Sequence, residues 1–361
     1  MGSLYQRTDG GNWYASWTDA QGAPKSKSTG TKDKRLAGEV LREWERRATL
    51  IREGIIDARA DKYQREAARP ITEVIDEYCA SCRMARHAPK AIQEKKRHLL
   101  GLVQDEGVRT WGDITPAVLQ RNMAGMLAVR WVEIPGAKDP KTGKPVKRRA
   151  KGATEAAART RNFRRQAWVA LEGWLAKQDR IERRVLSSVP VIDERGDRRV
   201  VRRALTDAEV VRLIAVARER GGTRAAWYLG ALHAGLRRGD LRRLRWRDVD
   251  FDAATITITA GKAKRVDVLP MHPELAEELR AIVPERMTPA ALAEARVFPA
   301  AVTDRTRAAD FKRAGIGPDA EGRVADLHAL RTTLATRMAR AGVAPQVAMG
   351  VMRHQSYGTT L

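Results

Sequence analysis

The chain has 361 residues, with 68 Lys+Arg against 44 Asp+Glu and a formal net charge of +24. At 43% hydrophobic and 31% charged it has apolar mass for two or three packed domains, which excludes collagen-like, coiled-coil and wholly disordered chains. It contains neither the run of about eighteen apolar residues that a membrane span needs nor an apolar N-terminal stretch, so no membrane partner is expected and the protein is placed in the cytoplasm.

A charge this positive needs a polyanion, and in a chain without membrane segments that partner is nucleic acid. Compositional drift toward Arg and Ala is the bland alternative, but drift should raise acids as readily as bases on solvated faces. Cys79 and Cys82 form a lone C-x-x-C. Without a second Cys/His pair it cannot close a tetrahedral zinc site, and both are expected as core or half-buried thiols.

In chain order, Leu4–Arg7 and Trp13–Trp17 flank Asp9-Gly10-Gly11, and Asp19-Ala20-Gln21-Gly22 leads into the basic run Lys25-Ser26-Lys27-Ser28. Two hairpin turns predict a three-stranded antiparallel sheet. Val40, Leu41, Trp44, Ala48 and Ile51 recur at helical spacing and supply the helix such a small sheet needs, giving a module over 1–66. Its other face carries Lys25 and Lys27, with Lys32, Lys34 and Arg35 just beyond. These suit insertion into a DNA groove, or form an ordinary solvated face.

Residues 70–186 read as a four-helix domain, with apolar periodicity in Val74–Tyr78, Ile92–Val103 and Phe163–Leu175 and a Thr115-Pro116 helix start. A basic stretch over 131–152, including Lys144, Lys147, Arg148 and Arg149, lacks periodicity and is expected as a loop lying near phosphates. Residues 187–201 alternate charges around Pro190 and Gly196 and read as a linker. The last domain, 202–361, opens on a capping box from Thr206 and Glu209 and is helical apart from two alternating strands, Thr255–Thr259 and Arg265–Leu269. The fold class expected is mainly α with small antiparallel sheets (α+β).

Four segments of that last domain set polar residues in apolar surroundings. Arg237 and Asp240 sit where a helix stops at Gly235 and restarts near Gly239. Lys262 and Lys264 sit in the turn between the two strands. His328 and Arg331, three apart, share a helix face, and His354 follows Met352-Arg353. Two Arg, one Lys and two His suit the stabilisation of a phosphorane-like transition state without metal. Arg forks across two phosphate oxygens, Lys can protonate a leaving alkoxide, and His exchanges protons near neutrality.

The run Gly235-Leu236-Arg237-Arg238-Gly239-Asp240-Leu241, followed by Gly261-Lys262-Ala263-Lys264, His328-x-x-Arg331 and Arg353-His354-Gln355-Ser356, resembles the tyrosine recombinase or phage integrase family. The resemblance runs in order through the chain and implies an arm-type DNA-binding domain, a helical core-binding domain and a catalytic domain. It implies that Arg237 and Arg331 clamp the scissile phosphate, that Lys262 is the general acid with Lys264 as the alternative, that His328 and His354 complete the pocket, and that Asp240 orients Arg237. It further implies a 3′-phosphotyrosyl intermediate, no ATP or metal cofactor, a homo-tetramer on double-stranded DNA, integration or excision of a mobile element, and an excisionase or host DNA-bending factor as possible partners.

The family nucleophile lies about nine residues past the last His, here at about position 363 and beyond Leu361, so this chain is expected to bind attachment-site DNA without cleaving it alone. Tyr357 lies too close to His354, and Tyr228 sits in an apolar helix. The rival reading is a non-catalytic DNA-binding remnant or accessory factor that keeps the fold. A metal site at Asp248, Asp250 and Asp252 is a weaker rival, because Ala253 and Thr259 stand where a calcium loop needs Gly and Glu.

Overall fold

The structure, a computed structural model, describes residues 2–138, 145–259 and 265–353, with the backbone alone for 129–138 and 145–153. The chain divides into two compact units, Met1–Asp197 and Arg198–Leu361.

The first unit opens with β1 (Ser3–Gln6), β2 (Trp13–Thr18) and β3 (Pro24–Ser28), an antiparallel sheet in that order. Gly22 takes φ +84° in the second turn, a conformation only glycine adopts without cost. Helix α1 (Lys34–Arg52) starts at Asp33, whose carboxylate accepts from the Arg35 and Leu36 N–H groups. It buries Ala37 and Leu41 and sets the Trp44 ring 4.6 Å from Trp17, covering the sheet around the fully buried Ala15. Helix α2 (Ala58–Ala67) has little apolar periodicity; the buried Asp61 holds it by pairing with Arg47 of α1 and, at 2.6 Å, with Arg65.

Helices α3 (Ile71–Met84), α4 (Pro89–Glu106) and α5 (Pro116–Ala124) follow, the last capped by the Thr115 hydroxyl with Pro116 at its first position. Cys79 and Cys82 are free thiols buried on α3, and burial pushes the Cys79 thiol up.

The stretch read as a basic loop over 131–152 is instead part of a hairpin, β4 (Leu127–Lys138) antiparallel to β5 (Pro145–Glu155). Its Lys, Arg, Pro and Gly content hides any apolar period, and register shifts after Leu127 and Glu133 break the strand pattern further. Backbone ladder bonds need no apolar side chains, so composition was a poor guide. Helix α6 (Ala158–Lys177) completes the bundle, burying Trp168, Leu171 and Leu175 against Ile75, Leu99 and Leu119. The chain beyond α6 is strapped back onto it. Glu172, fully buried, accepts from the Val185 and Leu186 N–H groups, and the Asn162 amide exchanges two hydrogen bonds with the Ile192 backbone.

In the second unit α7 (Asp207–Arg220) carries the predicted capping box, with Thr206 and Glu209 each accepting from the other's backbone. Helix α8 (Arg224–His233) is buried from Ala225 through Leu232, apolar on every side, and α7, α10 (Pro273–Arg280) and α13 (Leu327–Arg340) pack around it. Burying Trp227, Leu229 and Leu232 stabilises this unit by roughly 1.5–3 kcal/mol each. The Tyr228 hydroxyl donates at 2.8 Å to the buried Asp310 on α12 (Asp304–Arg313).

A short helix, α9 (Arg238–Leu241), leads to the antiparallel sheet β6 (Val249–Asp250), β7 (Thr255–Thr259) and β8 (Val266–Pro270). Ile256 and Ile258 face the core and the threonines between them face out. The Asp248–Asp252 carboxylates serve a turn into that sheet, where Asp250 accepts from the Asp252 and Ala253 N–H groups. Helices α11 (Pro289–Glu294) and α14 (Pro345–Met352) complete the described elements. Among the described residues, no helix is long and apolar enough to cross a membrane.

Candidate active site

Gly235, at φ +57°, ends α8. A Cβ there would lie 3.2 Å from the Leu334 side chain and 3.4 Å from a guanidinium nitrogen of Arg331, so the glycine permits both the turn and the close approach of α13. Two residues on, Arg237 occupies the N-cap of α9 and its N–H donates to Asp240 Oδ2 at 3.1 Å. Its own side chain is exposed. On α13, which starts at the capping carboxylate of Asp326, His328 and Arg331 fall on one face. Arg237, His328 and Arg331 thus line one cleft of about 390 Å³, with Asp304, Arg307 and Asp326 on its other walls.

Arg331 is only 2% exposed. Its Nη2 donates to the Met352 carbonyl at 2.8 Å, while Nε and Nη1 have no hydrogen-bond partner. Burial, with Arg237 and Arg353 adding like charge, holds its pKa down to about 10, so it remains a cation at neutral pH. Two unsatisfied donors on a buried cation are costly unless an anion completes them. Desolvation first, then the charge of Arg331, holds His328 below the ordinary imidazole value, which favours its neutral form. Asp240, 7% exposed, lies beneath and collects positive groups: the Arg237 N–H, Arg243 at 3.1 Å and Arg353 at 2.6 Å. The whole arrangement carries more cation than anion, aimed at a cleft wide enough for a phosphodiester.

Arg353 had been assigned no role from sequence, where it was simply the residue before His354. In the structure it is the C-cap of α14, 5% exposed, with φ +52° and its guanidinium on Asp240. Nothing in its local pattern announces burial. Asp326, by contrast, had a readable signal, an Asp directly before the helix that carries His328; it also pairs with Arg202 at 2.6 Å.

Lys262, Lys264, His354, Tyr357 and Lys144 lie outside the described residues, and Lys147, Arg148 and Arg149 lie on β5 with side chains outside them. Tyr228 is sequestered in the core, its phenol pushed up by burial and by Asp310, which removes it as a nucleophile. In the first unit Lys25, Lys27, Lys32, Lys34 and Arg35 are all exposed. Lys25 and Lys27 lie on the sheet face that α1 covers, not the opposite one, because they pair across the strands with Trp17 and Ala15, and Lys27 sits over the Trp44 ring. Lys25 approaches Asp19 at 3.6 Å, Lys34 sits over Trp13, and Arg35 pairs with Glu39.

Three potential metal donors gather away from the cleft, at His233, His272 and Glu274. The two imidazoles stack with centroids 4.0 Å apart and planes 10° from parallel, so their in-plane lone pairs do not converge on a point, and Glu274 is already engaged by His233 and Arg218. The trio is a ring stack with a hydrogen bond between His233 and Glu274.

Residues 203–361 match the model of the phage integrase family. No curated protein matches the sequence. Among solved structures, a lambda integrase dimer bound to a COC′ core site aligns over 99% of this chain and 93% of its own, with TM-score 0.59 and 15% identity. A lambda integrase tetramer bound to a Holliday junction aligns over 98% and 95%, with TM-score 0.57 and 16% identity. The integrase of the Tn1549 transposon, in complex with a circular intermediate DNA, aligns over 80% and 93%, with TM-score 0.57 and 17% identity. The fold is thus that of these integrases, and residues 203–361, which hold Arg237, His328 and Arg331, are similar to the phage integrase, or tyrosine recombinase, family.

Proposed function

We propose that the protein binds double-stranded attachment-site DNA and exchanges strands through a 3′-phosphotyrosyl intermediate, as a homo-tetramer on DNA, to integrate or excise a mobile element. The observation that carries this reading is Arg331, buried beside Arg237 and His328 with two guanidinium nitrogens unsatisfied. An accessory factor that never meets a scissile phosphate has no use for so costly a cation.

In the reaction the tyrosine oxygen bonds to phosphorus, the bond from phosphorus to the 5′ oxygen breaks, and that oxygen takes a proton. Arg237 and Arg331 hold the two non-bridging oxygens, whose charge grows in the transition state. Lys262, or Lys264, supplies the proton to the leaving oxygen, while neutral His328 and His354 hold or accept protons at the clamp. The guanidiniums provide the charge that a metal ion provides in other phosphoryl-transfer sites, so neither metal nor ATP is required. The exposed cations of the first unit, Lys25, Lys27, Lys32, Lys34 and Arg35, with Lys147, Arg148 and Arg149 of the hairpin, serve phosphate contacts of an arm-binding module over 1–66 and a core-binding module over 70–186. The lambda integrase structures, a dimer bound to a core site and a tetramer bound to a Holliday junction, lend this reading its assembly.

The test is fluorescence anisotropy with a synthetic four-way junction and an equal-length duplex flanking the protein's own gene, followed over a salt series with and without EDTA. Tight junction binding that weakens steeply with salt supports the reading. Salt-independent or absent binding, or binding that is lost in EDTA, overturns it.

A further inference from the structure

The end of α14 touches every charged member of the clamp. The Met352 carbonyl accepts from Arg331 at 2.8 Å, the Arg353 carbonyl is approached by the Arg237 guanidinium at 3.5 Å, and the Arg353 side chain donates to Asp240 Oδ2 at 2.6 Å. Arg353 does this from a left-handed backbone at φ +52°, where a glycine would sit without strain. Glycine would leave Asp240, almost wholly buried, with the Arg237 backbone N–H and the exposed Arg243 as its partners. The unclaimed donors nearby are Nε and Nη1 of Arg331.

We propose that Arg353 is a positioning residue that occupies the Asp240 carboxylate, so that Arg331 and Arg237 keep their guanidiniums free for phosphate. This rests on the reading of the cleft as a phosphate clamp. Without Arg353, a buried carboxylate and a buried, half-satisfied guanidinium that already attract each other pair directly, because that is the cheapest way to compensate both. The pair would satisfy the apo protein and close the clamp. A carboxylate needed to orient Arg237 through its backbone N–H is thereby kept from capturing the second arginine, and the strained conformation of Arg353 is the cost of that separation.

The experiment compares the wild-type chain, Arg331→Met, Arg353→Gly and the double variant Arg353→Gly/Asp240→Asn, using inorganic phosphate as the probe and calorimetric melting as the readout. Glycine suits φ +52°, so Arg353→Gly folds. The wild type should be stabilised by phosphate beyond the nonspecific response of Arg331→Met. Arg353→Gly should bind phosphate at least five-fold more weakly, and Asp240→Asn should restore it to within about two-fold by removing the competing carboxylate. Lost packing alone would not be rescued by that second change. Unaltered phosphate affinity in Arg353→Gly, or a double variant as weak as the single one, overturns the proposal. A wild type indistinguishable from Arg331→Met removes the clamp reading itself, and this inference with it.

Discussion

Replacing Arg331 by methionine should make the phosphate-free protein more stable. A guanidinium whose pKa is lowered to about 10 is disfavoured in its charged form by about 3 kcal/mol, at about 1.4 kcal/mol per tenfold change in acidity. Methionine fills a similar elongated space and removes that term. Against it stands the Met352 carbonyl, which loses its donor at 2.8 Å and costs about 1–2 kcal/mol when left without one. The net expectation is a gain of about 1–2 kcal/mol, or roughly 2–6 °C for a unit of this size. Hydrogen exchange of the buried α8 amides across a urea series, in phosphate-free buffer, reads the second unit directly. The same variant should lose the phosphate response altogether. If Arg331→Met unfolds more easily than wild type by about 2 kcal/mol or more, then the arginine is well satisfied in the empty fold, and the argument from its unpartnered nitrogens fails.

Gly235→Ala should destabilise the second unit by about 2 kcal/mol, combining the left-handed φ with a Cβ 3.2 Å from Leu334; an unchanged urea midpoint would contradict the geometry. Tyr228→Phe removes the donor to buried Asp310 and should cost about 1–3 kcal/mol while leaving phosphate and junction affinity as they were; a loss of affinity at equal folding would restore Tyr228 to the site. Acidification should weaken the fold. Burial lowers the pKa of His233 despite its bond to Glu274, and desolvation with Arg331 lowers that of His328. The unfolded chain therefore binds more protons than the folded one, so stability is full above about pH 6.5 and falls as pH drops through the folded values. His233→Gln should flatten that slope between pH 7 and 5, and a slope of opposite sign would refute the assignment.

Much of the second unit was legible because its signals are local. A capping box, a glycine stop and a three-residue spacing of His328 and Arg331 depend on few neighbours, so α7, the α8–α9 turn and α13 could be read directly. Helix α2 could not, since a buried carboxylate paired with two arginines replaces the apolar stripe that periodicity detects. The β4–β5 hairpin was mistaken for a loop because pairing is a backbone property and its side chains are largely cationic. Arg353 is the instructive omission. A charged residue at a position whose backbone suits glycine looks like surface, and only the fold brings Asp240 to it from 113 residues away.

The bond from Arg331 to the Met352 carbonyl has a reciprocal side. It ties the last described turn of α14 to a group whose free energy depends on whether an anion is present, so the two events are linked thermodynamically. Whatever tightening a bound phosphate confers on α14, an α14 held in place must return as phosphate affinity in the same measure. Any contact that steadies the end of α14 would then be felt at the clamp without touching DNA.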